Sequence, residues 1–163
     1  MILVALGGNL DSPVYGPPRA TLTAALDALA AHDVCVAVQS RWYRTAPIPA
    51  SDQPWFVNLV VQVETALTPQ ALLAALKALE AAFGRESGER NAARVLDLDI
   101  IDYDGRILST PALTLPHPRL DQRAFVLMPL RDVAPGWQHP RSGQTVDALI
   151  AALPPGQAIE VAD

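Results

Sequence analysis

The chain has one cysteine, Cys35, in 163 residues. That excludes an internal disulfide framework and any zinc site built from several thiolates. Val34 and Val36 flank it, a strand-like setting that predicts a small buried hydrophobe rather than a nucleophile. Lysine is equally scarce: Lys77 stands alone and every other cationic side chain is an arginine. Arginine suits planar two-point contact with phosphate or carboxylate, although a GC-rich genome gives the same bias. No stretch approaches the roughly 20 apolar residues of a membrane helix. The apolar run Ile2–Leu6 lacks the basic leader and the length of a signal peptide, so a soluble cytoplasmic protein is expected. A net charge of −5 argues against general nucleic-acid binding. With 50% hydrophobic and 18% charged residues, the chain is globular, and its length predicts a single domain over 1–163.

What is present reads as alternating strands and helices. Ile2–Leu6 is a covered strand that ends in the turn Gly7-Gly8-Asn9. Pro18 opens a helix with the stripe Leu22, Leu26, Leu29. A long strand is expected from Asp33 to about Tyr43, then a proline-rich loop from Arg44 to Pro54. Trp55–Thr65 alternates cleanly, with Val57, Leu59, Val61 and Val63 on one face and Phe56, Asn58, Val60, Gln62 and Glu64 on the other. Thr68-Pro69 caps a helix with the stripe Leu72, Leu76, Leu79, Phe83, closed by Gly84. A polar loop, Arg85–Ala93, feeds the strand Arg94–Tyr103, in which Leu96, Leu98 and Ile100 alternate with Asp97 and Asp99. Short helices around Gln122–Arg131 and Thr145–Leu153 complete the chain. The order βαββαβ predicts an α+β fold: a four-stranded antiparallel sheet with helices packed on one face. Phe56, Asn58, Asp97 and Asp99 then share the opposite, helix-free face, a candidate site.

The chemistry follows from residue types. Carboxylates two apart on a strand lie roughly 6.5–7 Å from one another along the chain. They can lean toward two divalent cations about 3.5–4 Å apart, and hard oxygen ligands suit Mg²⁺. A solvated sheet face is the plain alternative. Arg85, Arg90 and Arg94 stand beside this pair, as phosphate handling requires. His117 lies between two prolines, in a stiff loop with Arg123 and Phe125 downstream. An amide beside an aromatic, Asn58 with Phe56, suits a flat heterocycle that is stacked and read along its edge.

Five segments carry a resemblance: Leu6-Gly-Gly-Asn-Leu10, Tyr43-Arg-Thr-Ala-Pro47, Asp52-Gln-Pro-Trp-Phe-Val-Asn58, Arg94-Val-Leu-Asp-Leu-Asp-Ile100 and Leu115-Pro-His-Pro118. In this order, across roughly residues 1–135, they resemble the 6-hydroxymethyl-7,8-dihydropterin pyrophosphokinases of folate biosynthesis. The resemblance implies the ferredoxin-like form of the fold above and transfer of diphosphate from ATP to the pterin hydroxymethyl group, releasing AMP. It implies two Mg²⁺ ions on Asp97 and Asp99, with Arg85 and Arg94 assisting transfer. Around the nucleotide it places Glu80, Arg94, Ile100, Thr114, His117 and Arg123. Around the pterin it places Thr45, Ala46, Ile48, Asn58 and the pair Phe56 and Phe125. Small-molecule substrates and a monomer are expected, with no nucleic acid and no membrane.

The resemblance is incomplete in one loop. Family members commonly have Arg-Trp-Gly-Pro-Arg where this chain has Arg90-Asn-Ala-Ala-Arg94, and Gly8 and Ala112 replace a usual serine and arginine. Weaker loop closure over ATP is expected. Three other readings fit parts of the pattern: a two-metal nucleotidyltransferase, a non-catalytic ferredoxin-like binding module, and a degenerate pterin binder. The first needs a third carboxylate, and alternation puts Asp102 on the wrong strand face for that role.

Overall fold

The computed structural model describes residues 1–84 and 95–162. In chain order the elements are β1 (Ile2–Gly8), α1 (Pro18–Leu29), β2 (Cys35–Gln39), β3 (Tyr43–Thr45), β4 (Phe56–Glu64) and α2 (Pro69–Ala82). There follow β5 (Asp97–Tyr103), β6 (Leu108–Ser109), β7 (Thr114–Leu115), α3 (Ala124–Val133), α4 (Val146–Ala151) and β8 (Ile159–Val161). The sheet runs β5-β1-β4-β3-β8, with β2 also on β4. All its pairings are antiparallel. Its centre is the expected βαββαβ core.

Helices α1 and α2 form where predicted, for local reasons. Pro18 occupies the first turn of α1, where its missing N–H costs nothing. Thr68 caps α2 by accepting a bond from the Ala71 N–H at 3.1 Å, worth about 1 kcal/mol. Gly84, at φ +90°, takes the left-handed turn after it. Their stripes, Leu22, Ala25, Leu29 and Leu72, Leu76, Leu79, pack on Val4, Leu6, Leu59, Val61, Leu98 and Ile100 of the sheet. Cutting any of these leucines to alanine costs about 2–5 kcal/mol.

Gly7 and Gly8 extend β1 where a turn is expected, because both pair with β4, and four further expectations change. The strand from Asp33 to Tyr43 is two strands, because Ser40 interrupts the ladder: its Oγ accepts the Val60 N–H at 3.0 Å. Cys35 is exposed rather than buried, since β2 lies at a sheet edge against β4 alone. The second face is not helix-free. Leu3, Val60 and Ile101 on that face join Leu127 and Leu130 of α3, Leu149 of α4 and Trp137 in a second core. The same rows that carry Asn58 and Asp99 continue into apolar residues, which require a cover.

The fourth is Asp102. A bulge between Leu3 and Val4 in the β1–β5 pairing sets Leu3 opposite Asp102 and Val4 opposite Ile100. The extra residue flips the alternation, so Asp102 shares the face of Leu3. There its carboxylate accepts bonds from Trp137 Nε1 at 2.9 Å and from the Gly105 N–H at 3.0 Å.

Candidate active site

The second face divides along the strands. Toward one end its side chains are Leu3, Val60 and Ile101, under α3. Toward the other they are Ala5 and Gly7 of β1, Phe56 and Asn58 of β4, and Asp97 and Asp99 of β5. Register fixes their neighbours: Gly7 lies opposite Asn58 on one side and opposite Asp97 on the other. Ala5 lies likewise between Val60 and Asp99. Cross-strand partners share a face, so the amide and the first carboxylate flank a residue with no side chain.

A cleft of about 750 Å³ opens over this floor, within the usual range for small-molecule sites. It brings together Thr45, Ala46, Ile48, Phe56, Asn58, Glu80, Asp97, Asp99, His117, Arg123 and Phe125. Ile100 is not among its lining residues, because its side chain is buried in the larger core. Thr114, on the small β6–β7 ladder, also lies outside the lining. Arg85, Arg90 and Arg94 lie outside the described residues.

On the amide side, Asn58 is buried and donates through Nδ2 to Thr45 Oγ1 at 2.6 Å. Its carbonyl and second amide proton are left for a ligand's polar edge. The Ala46 N–H is engaged by the carbonyl of Ala158 at 3.1 Å. Phe56 and Phe125 both line the cleft, and the Arg123 guanidinium lies 5.3 Å from the Phe125 ring centre, a cation–π distance.

On the carboxylate side, the edge strand β5 is held from outside. Glu80 of α2, itself buried, accepts the Leu98 N–H at 2.8 Å. The His117 N–H donates to the Ile101 carbonyl at 3.0 Å, which seats the imidazole beside the carboxylates. Its Nδ1 accepts the Arg119 N–H at 3.2 Å, so the proton of the neutral ring is on Nε2. The ring's pKa is pushed down to about 4, first by burial and then by Arg123, against the opposing pull of Asp97. At neutral pH His117 is therefore an uncharged donor.

Several lining residues escaped the sequence reading. Leu73 and Lys77 share one helical stripe of α2 with the expected Glu80, and all three line the cleft. That i, i+4, i+7 spacing was a usable signal. Pro154–Gln157 form another wall and gave no signal. Gln157 accepts the Ala124 N–H at 2.9 Å and donates to the Gln122 carbonyl at 2.8 Å. It thereby fixes the start of α3, where Phe125 sits and which Arg123 immediately precedes.

The donor set fits a hard divalent cation. Asp97 and Asp99 both line the cleft, and no group of three acidic, histidine or cysteine ligands exists among the described residues. Such a site leaves most of a cation's coordination to water and phosphate oxygens, as Mg²⁺ prefers.

The chain matches the family 7,8-dihydro-6-hydroxymethylpterin-pyrophosphokinase (HPPK) over residues 3–135. It is 41% identical over 149 residues to a 2-amino-4-hydroxy-6-hydroxymethyldihydropteridine pyrophosphokinase of Synechocystis sp., covering 91% of this chain and 73% of that protein. The corresponding protein of Methylorubrum extorquens is 39% identical over 153 residues, with 93% and 92% covered. A mitochondrial folate synthesis bifunctional protein of Arabidopsis thaliana is 39% identical over 132 residues, which are 81% of this chain but 23% of that one. Among solved structures, Plasmodium falciparum HPPK-DHPS with pteroate has the same fold, with a TM-score of 0.72 at 14% identity. This chain covers 43% of that one. The chain belongs to the 7,8-dihydro-6-hydroxymethylpterin-pyrophosphokinase family.

Proposed function

We propose that the protein transfers the diphosphate of ATP to the hydroxymethyl group of 6-hydroxymethyl-7,8-dihydropterin, giving AMP and the pterin diphosphate for folate synthesis. The observation that carries this reading is the adjacency of Asn58 and Asp97 across Gly7. A group suited to a heterocycle edge and a group suited to a metal–phosphate complex abut on one floor. In the transfer, the hydroxyl oxygen bonds to the β-phosphorus while the bond to the α,β-bridging oxygen breaks. AMP leaves and the hydroxyl proton passes to solvent.

Asn58 orients the pterin edge, steadied by Thr45, while Phe56 and Phe125 hold the ring between them and Ile48 closes the side. Asp97 and Asp99 hold two Mg²⁺ ions, which when bound supply charge neutralisation for the phosphates. His117 donates from Nε2 and Arg123 adds positive charge at the nucleotide end. Arg94 and Arg85 act on the triphosphate by resemblance to the family. Catalysis by positioning and charge, without a strong base, is the economy of phosphoryl transfer.

The enzyme acts as a monomer in the cytoplasm. No helix of the described residues is long and apolar enough to cross a membrane. The nucleotidyltransferase reading loses its third carboxylate, because Asp102 is committed to Trp137 and Gly105. The test is a product assay with ATP, Mg²⁺ and the pterin. Pterin-dependent AMP that disappears on chelation supports the reading, and ADP in its place overturns it.

A further inference from the structure

We infer that Gly7 is a positioning residue: its missing side chain is what lets Asn58 hold its reading conformation against the phosphate end of the cleft. The inference rests on the function proposed above and assigns it a residue that touches neither substrate through a side chain.

Gly7 sits mid-sheet in an ordinary extended conformation, with no positive φ, so its backbone would accept any residue. A Cβ built on it would lie 2.4 Å from Asn58 Oδ1, with the next heavy atoms at 3.5 Å or beyond. The obstruction is therefore one atom, at the free end of a side chain that can rotate. The sheet need not deform to admit a methyl group; the Asn58 amide need only swing aside. That swing breaks the 2.6 Å bond from Nδ2 to Thr45 Oγ1 and moves the carbonyl off the line along which it would meet a ligand. The opposite neighbour, Asp97, is paired with the same residue, so a side chain there would also fill the space between heterocycle and phosphate positions. Ala5, one step back in the row, is the next smallest occupant, and Leu3 beyond it is fully buried core.

The test is a double-mutant cycle in the full-length protein, with Gly7→Ala, Asn58→Ala and the pair together. Pterin and Mg²⁺–ATP affinities are measured separately, alongside the melting temperature and pterin-dependent AMP formation. Gly7→Ala is expected to weaken pterin binding at least tenfold, leave Mg²⁺–ATP binding within about twofold, and leave the melting temperature nearly unchanged. In the Asn58→Ala background the same change should cost less than about twofold more. The side-chain amide resonances of Asn58 should also shift in ligand-free Gly7→Ala, which reads the displacement without substrate. Full pterin affinity in Gly7→Ala, equal losses in both backgrounds, or an unmoved Asn58 resonance each overturns the inference while wild-type activity stands. Wild-type protein that neither binds pterin nor forms AMP overturns the functional reading and the inference together.

Discussion

The Glu80 carboxylate of α2 reaches the outer edge of β5 and accepts the Leu98 N–H at 2.8 Å. Leu98 lies between the two cleft aspartates, so this bond fixes the backbone that aims both. Glu80→Ala is expected to leave a buried donor unpaired and to lower stability by about 1–3 kcal/mol. It should also slow AMP formation, while Glu80→Gln, which keeps an acceptor, should recover most of the stability. Urea titration with the product assay checks both, and an alanine variant of wild-type stability and rate would remove Glu80 from this role.

Asp97 and Asp99 are half-buried on the cleft face and contribute nothing to either apolar core. Asp97→Ala and Asp99→Ala should therefore fold normally, melt close to wild type and make no AMP. A variant that retains near-normal turnover would sink their assignment as metal ligands.

His117 gives the ligand-free protein a defined pH dependence. The unfolded ring takes up a proton near 6.5, the folded one only near 4. Within that window the unfolded chain binds more protons, so stability falls as pH is lowered and is independent of this group above it. His139 is also held low, chiefly by burial, and adds a slope of the same sign. Comparison with His117→Asn isolates the first: wild type should lose about 2–3 kcal/mol more between pH 7 and 4.5, measured with chelator present. Equal losses in the two proteins would contradict the buried, neutral ring.

Gln157 bridges the C-terminal wall and the start of α3 by two short bonds to main chain. Replacing it with alanine orphans the Ala124 N–H, at a cost of about 1–3 kcal/mol. Pterin affinity should fall with it, because Phe125 is the next residue. Calorimetry on Gln157→Ala with pterin tests this, and unchanged affinity would make the tail a bystander.

Much of the fold and part of the site are legible in the sequence. Period-2 rows in Trp55–Thr65 and Leu96–Ile100 assigned the strand faces correctly, since a half-buried strand has to alternate. Helix α2 announced itself through Thr68-Pro69, its leucine stripe and Gly84. The second core was missed because its members, Leu3, Val60 and Ile101, come from three strands and look unremarkable in each. Asp102 was misassigned because a bulge is a property of the pairing and is invisible in either strand alone. The role of Gln157 rests on bonds to residues over thirty positions away, with no local pattern. Gly7 read as part of a turn because a glycine's absent side chain acquires meaning only from what stands opposite it.

The row Leu3, Ala5, Gly7 shrinks step by step from a full core side chain to none. Its mutational landscape should reverse along about 14 Å of one strand. At position 3, tolerance should rise with side-chain bulk and apolarity; at position 7, it should fall with every added atom, and only when selection is for activity. Two saturation libraries, one scored on abundance and one on folate-dependent growth, would part company at position 7 and agree at position 3. A single β-strand thus carries a gradient from fold maintenance to substrate accommodation, and sequence tolerance along it has no single scale.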